Sequence, residues 1–260
     1  IGRRLGLDSV LLLQGTPKAP LEGNYFLDRL VRAEIIHISI EEYKQRDTLM
    51  ENIAEGLRSK GRRPYVIPEG GSNALGAMGY VEMIRELKEQ MNTQGVSFDS
   101  IFCCLGSGGT YAGILMGIAL CGLSAKAFGV LNQRDTKYFK NSLKTLMEDA
   151  CQNLSFSHTV SPESIRMIDD YIGLGYGQNK PEEIALMNNT AYEEGIILDP
   201  VYTGKTFFAL DDMIRNHPSM NTQLGQNILF IHTGGIFGLF PKQKAFEETL
   251  IKAPLRITDY

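Results

Sequence analysis

Residues 98–120 read Phe98-Asp99-Ser100-Ile101-Phe102-Cys103-Cys104-Leu105-Gly106-Ser107-Gly108-Gly109-Thr110-Tyr111-Ala112-Gly113-Ile114-Leu115-Met116-Gly117-Ile118-Ala119-Leu120. The first seven residues form an apolar run of strand character. The last ten contain few helix breakers and predict a helix. The turn between them, Leu105 to Thr110, is rich in glycine. Glycine lets the backbone turn tightly and approach a ligand closely. The first N–H groups of a helix lack intrahelical partners, and the helix dipole favours an anion there. Ser107 and Thr110 add hydroxyl donors, so strand, turn and helix together predict a phosphate seat.

Working outward, the same pattern recurs. Pro68-Glu69-Gly70-Gly71-Ser72-Asn73 precedes a helix expected from about Asn73 to Met91, capped by Ser72 or Asn73. Small residues at 74, 76, 77 and 79 allow another backbone or a ligand to come close. Ile196 to Lys205 predicts strand, turn and helix start, with the helix running on to Asn216. Asn227 to His232 predicts a strand that runs into Thr233-Gly234-Gly235 and a short apolar helix. Ala125 to Leu131 predicts a strand, 134–154 and Glu182 to Glu194 helices, and 155–181 an irregular stretch. Before residue 68, strands at Ser9 to Leu13, Glu34 to Ile40 and Pro64 to Pro68 alternate with helices at Asn24 to Ala33 and Ile40 to Ser59. Such an order implies a parallel sheet. A boundary near residues 64–68 divides the chain into 1–67, part of a smaller α/β domain, and 68–260, a larger α/β domain. Ligands of open parallel sheets bind at the carboxyl ends of the strands. The turns at 70–73, 106–110, 202–204 and 233–235 are therefore expected to line one crevice. The last twenty residues are expected to form a tail.

The 260 residues carry 43% hydrophobic and 22% charged residues and a net charge of −4, with both signs interspersed. That is ordinary for a soluble globular protein and unlike a nucleic-acid binder. No apolar run reaches the roughly 20 residues of a membrane span. A cytoplasmic protein without membrane or nucleic-acid partners is the expectation. The four cysteines, Cys103, Cys104, Cys121 and Cys151, have no zinc-site spacing and are expected to be free and mostly buried. On a strand, Cys103 and Cys104 would point to opposite faces. Asp169-Asp170 lacks a third ligand at useful spacing, so no metal is expected. His37, His158 and His217 are expected at the surface, and His232 as a packed strand-end residue. The opening Ile1-Gly2-Arg3-Arg4-Leu5-Gly6-Leu7 reads as the last turn of a helix, so an upstream part is expected.

The four turns, in this order and at these spacings, resemble the D-cysteine desulfhydrase and 1-aminocyclopropane-1-carboxylate deaminase family. That family belongs to the tryptophan-synthase-β-like, fold-type II pyridoxal-phosphate enzymes, and the similarity covers nearly the whole chain. The resemblance implies a two-domain, three-layer αβα fold with largely parallel sheets and pyridoxal 5′-phosphate between the domains. It implies a homodimer and a small amino-acid substrate. The reaction it implies is β-elimination from D-cysteine or a related D-amino acid, giving pyruvate, ammonia and sulfide. It places the cofactor phosphate on Gly106, Ser107, Gly108, Gly109 and Thr110, and the Thr233 hydroxyl near the pyridine nitrogen. A neutral partner there weakens the electron sink and disfavours transamination relative to elimination. Tyr202 and Tyr176 are implied as catalytic, with Tyr202 and Thr203 lining the substrate site. The deaminase relatives carry Glu where this chain has Thr203, which favours the desulfhydrase. The family's Gly-Gly-Asn-Lys segment, whose lysine holds the cofactor covalently, and its Gln-Ser-Asn-His segment are absent from these residues. The chain as given is therefore expected to be inactive. The competing readings are the ring-opening 1-aminocyclopropane-1-carboxylate deaminase, disfavoured by Thr203, a non-catalytic phosphate-binding remnant and a dinucleotide-binding oxidoreductase. The last needs Gly-x-Gly-x-x-Gly, which Gly106 to Tyr111 does not complete.

Overall fold

A computed structural model describes residues 1–133, 135–157, 160–247 and 250; of Met220 and Asn221 only the backbone is described. His158 and residues 251–260 lie outside the described residues; of the tail expected over the last twenty, Gln243–Glu247 instead forms a helix with Phe246 buried. The chain forms two compact units, one spanning Ile1–Glu69 and the other beginning at Gly70.

In the first unit, β1 (Val10–Gln14) pairs in parallel with β2 (Glu34–Ile38), with α1 (Gly23–Leu30) between them in sequence. The expected helix over 40–59 is two helices, α2 (Ile40–Tyr43) and α3 (Arg46–Arg58). Ser39 and Glu42 form a reciprocal capping box at the start of α2. Pro64 to Pro68 is not a strand, because neither proline has an N–H to give to a ladder. His37 is half-buried rather than at the surface, with its Nε2 3.4 Å from the Tyr25 hydroxyl.

The second unit contains a four-stranded parallel sheet in the order β5-β4-β3-β6. Its strands are β3 (Ser100–Leu105), β4 (Lys126–Leu131), β5 (Arg166–Ile168) and β6 (Ile228–Phe230). The helices are α4 (Ala74–Gln94), α5 (Gly109–Cys121), α6 (Thr136–Asn153), α7 (Pro181–Glu194), α8 (Thr203–Asn216), α9 (Pro218–Leu224) and α10 (Gln243–Glu247). Strand alternation divides the core between the two faces of the sheet. Ile101, Cys103, Leu105, Ala127 and Leu131 pack with α4, α5 and α6. Phe102, Phe128, Val130 and Ile168 pack with Ala209, Leu210 and Met213 of α8 and Leu224 of α9. The result is three layers, αβα. Residues 196–199 carry no ladder pairing, so the strand expected there is absent.

Helix α5 is the centre of this unit. Every residue from Gly109 to Gly117 except Thr110 is buried. A face all round that is this apolar requires cover on every side. Tyr111 reaches across the sheet, its hydroxyl accepting the Arg166 N–H at 2.8 Å and lying 2.7 Å from the Arg166 carbonyl. On the α4 side, glycines set the distance between the two helices. A Cβ on Gly113 would stand 2.5 Å from Tyr80 Cβ and would also strike the Ala77 carbonyl, and one on Gly117 would stand 2.6 Å from Ile84 Cβ. The Ala77 obstacle is backbone and cannot swing aside. Gly113→Ala is therefore expected to lower stability by about 3 kcal/mol, read as a lower urea midpoint. An unchanged midpoint would mean that the helices separate without cost.

Candidate active site

The close approach of α4 and α5 brings their N-terminal turns together. Ser72 Oγ accepts the Gly109 N–H at 3.0 Å and lies 2.7 Å from Ser107 Oγ. A Cβ on Gly109 would stand 2.8 Å from Ser72 Oγ and 3.1 Å from Ser72 Cα, and one on Gly70 would strike the Ser107 side chain. Gly108 has φ 105°, a conformation that glycine alone adopts easily. Asn73, not Ser72, caps α4, accepting the Gly76 N–H at 2.8 Å.

A second junction joins the glycine turn to the tyrosine turn. The Tyr202 ring lies against Gly106, where a Cβ would stand 3.3 Å from Cε1. Two residues just past β4 fasten this junction. Gln133 donates to the Gly106 carbonyl at 3.2 Å and Asn132 to the Val201 carbonyl at 3.2 Å. Asn132 is 1% exposed. Its Oδ1 has no hydrogen-bond partner and lies 3.7 Å from where a Gly106 Cβ would be. An unpartnered buried acceptor is costly, and its position beside Gly106 marks a place where a donor would be stabilised. Sequence reasoning passed over both residues. The available signal was a polar Asn-Gln pair at the carboxyl end of an apolar parallel strand.

Tyr176 and Tyr202 meet, with hydroxyl oxygens 2.5 Å apart and ring centroids 6.0 Å apart at 71°. Burial raises the Tyr202 pKa far above the ordinary tyrosine value, and the hydrogen bond to Tyr176 raises it further. Tyr176 sits on the loop Gly173-Leu174-Gly175-Tyr176-Gly177, which Lys205 holds from below. The Lys205 ammonium donates to the carbonyls of Ile172 at 2.7 Å and Gly175 at 2.6 Å, and burial lowers its pKa. Asn179 ties the end of the loop to the Pro200 carbonyl at 2.7 Å.

Beneath the tyrosine turn, Asp199 is 1% exposed and organises the start of α8. Its Oδ2 accepts the Val201 and Tyr202 N–H groups at 2.8 and 2.9 Å. Its Oδ1 accepts the Thr203 N–H at 2.7 Å and the Thr203 hydroxyl at 2.8 Å. Thr203 is buried, and its single hydroxyl donor is engaged by Asp199, so it shapes the turn from inside rather than facing outward. Gly235, with φ 94°, packs on this carboxylate; a Cβ there would stand 2.7 Å from Asp199 Cγ. The Thr-Gly-Gly turn thus joins the same cluster, with Thr233 exposed next to it. His232 lies just before that turn, its Nδ1 accepting the Gly234 N–H at 3.1 Å and its Nε2 2.9 Å from the Ile197 carbonyl. Both ring nitrogens are engaged.

Cys103 and Cys104 are buried, Cys121 is half-buried and Cys151 exposed, and all four are free. Burial pushes the Cys104 thiol up to about 12. Asp169 is exposed and takes a hydrogen bond from Thr136, and His217 at the end of α8 is exposed and bonds Asp212. Among the described residues, no helix is long and apolar enough to cross a membrane.

Comparisons with known proteins bear on this cluster. A protein of Thermotoga maritima, provisionally named 1-aminocyclopropane-1-carboxylate deaminase, is 40% identical over 94% of this chain and 74% of its own length. The D-cysteine desulfhydrase of Serratia proteamaculans is 33% identical over 92% of this chain and 72% of its own. A crystal structure described as an ACC deaminase homologue superposes with a TM-score of 0.83 at 36% identity, covering 96% of this chain and 72% of that one. A threonine deaminase at 15% identity and TM-score 0.56 shares the fold, over 90% of this chain and 71% of its own. The family model described as pyridoxal-phosphate dependent enzyme matches residues 1–234, and the chain belongs to that family.

Proposed function

We propose that the turn Gly106 to Thr110 holds the phosphate of pyridoxal 5′-phosphate and that the chain is built for β-elimination from D-cysteine or a related small D-amino acid. The residues fit such a group. Glycines at 106 and 109, where a Cβ would crowd Tyr202 and Ser72, and at 108, with φ 105°, leave the backbone of the turn bare, and the nearby Asp199 carboxylate is turned inward onto backbone N–H groups. The N–H groups at the start of α5 beyond Gly109, whose own N–H goes to Ser72 Oγ, and the hydroxyls of Ser107 and Thr110 would bind the phosphate, and the Thr233 hydroxyl the pyridine nitrogen. When bound, the cofactor supplies the electron sink that stabilises negative charge at the substrate α-carbon.

The observation that carries the reading is the Tyr176–Tyr202 pair beside Gly106. With its pKa raised, Tyr202 keeps its proton at neutral pH. Its Oη can hold that proton toward a departing sulfur, while Tyr176 orients the hydroxyl. Lys205 cannot serve as the covalent anchor, because its ammonium is engaged with two loop carbonyls. We therefore propose that the 260 residues alone do not turn over and that the activity needs the family's lysine segment. The family resemblance also supports a cytoplasmic homodimer.

The test is product release by the protein expressed from its complete reading frame, with cofactor added. Sulfide from D-cysteine and not from L-cysteine supports the proposal. The Thermotoga relative's name favours a second reading, ring-opening deamination, for which ammonia from 1-aminocyclopropane-1-carboxylate without sulfide from D-cysteine would be the sign. No product from either substrate would refute both.

A further inference from the structure

The two glycine-rich turns share one hydroxyl, and its hydrogen bonds have a direction. Gly109 N–H can only donate, so Ser72 Oγ accepts on that side at 3.0 Å. The Ser72 proton is then free to go to Ser107 Oγ, 2.7 Å away. Ser107, already accepting, keeps its own proton for a third partner. Donation runs from Gly109 N–H through Ser72 O–H to Ser107 O–H, and each bond in such a chain polarises the next donor. The glycines at 70 and 109 make the contact possible, since a side chain at either would drive Ser72 and Ser107 apart.

We infer that Ser72 is a positioning residue for the cofactor phosphate. It acts through Ser107, fixing that hydroxyl so that its proton faces the anion. The inference rests on the proposed role of residues 106–110 as the phosphate seat. Ser72 belongs to the turn before α4, so the phosphate would be read by two turns rather than one.

The probe is pyridoxine 5′-phosphate, which has no aldehyde and needs no lysine, with unphosphorylated pyridoxine as the control. Affinities are measured by isothermal titration on the wild type, Ser72→Ala, Ser107→Ala and the double variant. Hydrogen bonds to charged groups are worth enough that each single variant should bind pyridoxine 5′-phosphate about tenfold more weakly, with pyridoxine unaffected. The double variant should bind no more weakly than Ser107→Ala, because Ser72 acts only through Ser107. Should Ser72→Ala fold poorly by thermal melting, Ser72→Cys keeps the shape with a weak donor and should show the same selective loss. If Ser107→Ala leaves the preference for the phosphorylated probe intact, the phosphate seat itself is misplaced. If Ser107→Ala abolishes it and Ser72→Ala does not, the inference alone fails. Tighter binding by Ser72→Ala would also overturn it, since Ser72 would then compete with the phosphate for the Gly109 N–H.

Discussion

Replacing Asp199 with alanine is expected to lower the melting temperature by roughly 10 °C, a loss of about 4 kcal/mol. The carboxylate is buried and accepts three backbone N–H groups and one hydroxyl, all from residues 201–203. Alanine leaves those donors without a partner, and an orphaned buried donor costs about 1–3 kcal/mol. The sum is moderated because Val201 and Tyr202 are half-buried, so water can reach part of the turn. The negative charge also faces the N-terminal end of α8, where the helix dipole favours it. Asp199→Asn keeps the volume but turns an amide donor toward donors, and should fall between wild type and alanine. Thermal unfolding followed by circular dichroism measures both. A drop under about 3 °C for alanine would mean that water takes over the carboxylate's role. Because Gly235 rests on the same carboxylate, the Thr-Gly-Gly turn should loosen with the tyrosine turn.

The four turns could be found from sequence because each is local: small residues where the chain bends, then a helical start, with a strand before those at 106–110 and 233–235. The parallel sheet followed from the same alternation, and the family was recognisable from the turns taken together. What escaped depended on partners distant in the chain. Strand β5 is three residues long and begins with Arg166, so it carries no periodic signal; its place is fixed by β4 and by the Tyr111 hydroxyl. Residues 196–199 are apolar enough for a strand, yet the Asp199 N–H goes to Thr203 Oγ1 rather than to a neighbouring strand. The resemblance places Thr203 at the substrate site, and the turn geometry engages its N–H and hydroxyl with Asp199. Asn132, Gln133 and Lys205 gained roles only when folding brought carbonyls of remote residues to them. The link from Ser72 to Ser107 spans two helices, and only their close packing creates it.

Removing one hydroxyl from the tyrosine pair is expected to have the largest effect on turnover. In the protein expressed from its complete reading frame, Tyr202→Phe should reduce kcat for sulfide release by about 10²–10³-fold, the range for loss of a positioned proton donor. The ring stays against Gly106, so packing is retained and KM should change little. Tyr176→Phe should cost only about tenfold, since it removes the partner that orients Tyr202 and not the donor itself. The two hydroxyls act as a unit, so the double variant should be no slower than Tyr202→Phe alone. A pH profile tests the same point independently. With its pKa raised by burial, Tyr202 stays protonated as the pH rises past 10.0, the ordinary tyrosine value, so its ionisation should contribute no alkaline fall in kcat below that pH. Phenylalanine at 202 with less than a threefold loss would make the residue a packing element, and the proton would then have to come from elsewhere. If Tyr176→Phe proved as damaging as Tyr202→Phe, the roles within the pair would be reversed. Lys205 enters the same chain of cause, because its bonds to the carbonyls of Ile172 and Gly175 hold Tyr176 at 2.5 Å from Tyr202. On the proposed reading, the tyrosine pair is thus positioned by a buried cation that bonds the loop beneath it and neither hydroxyl.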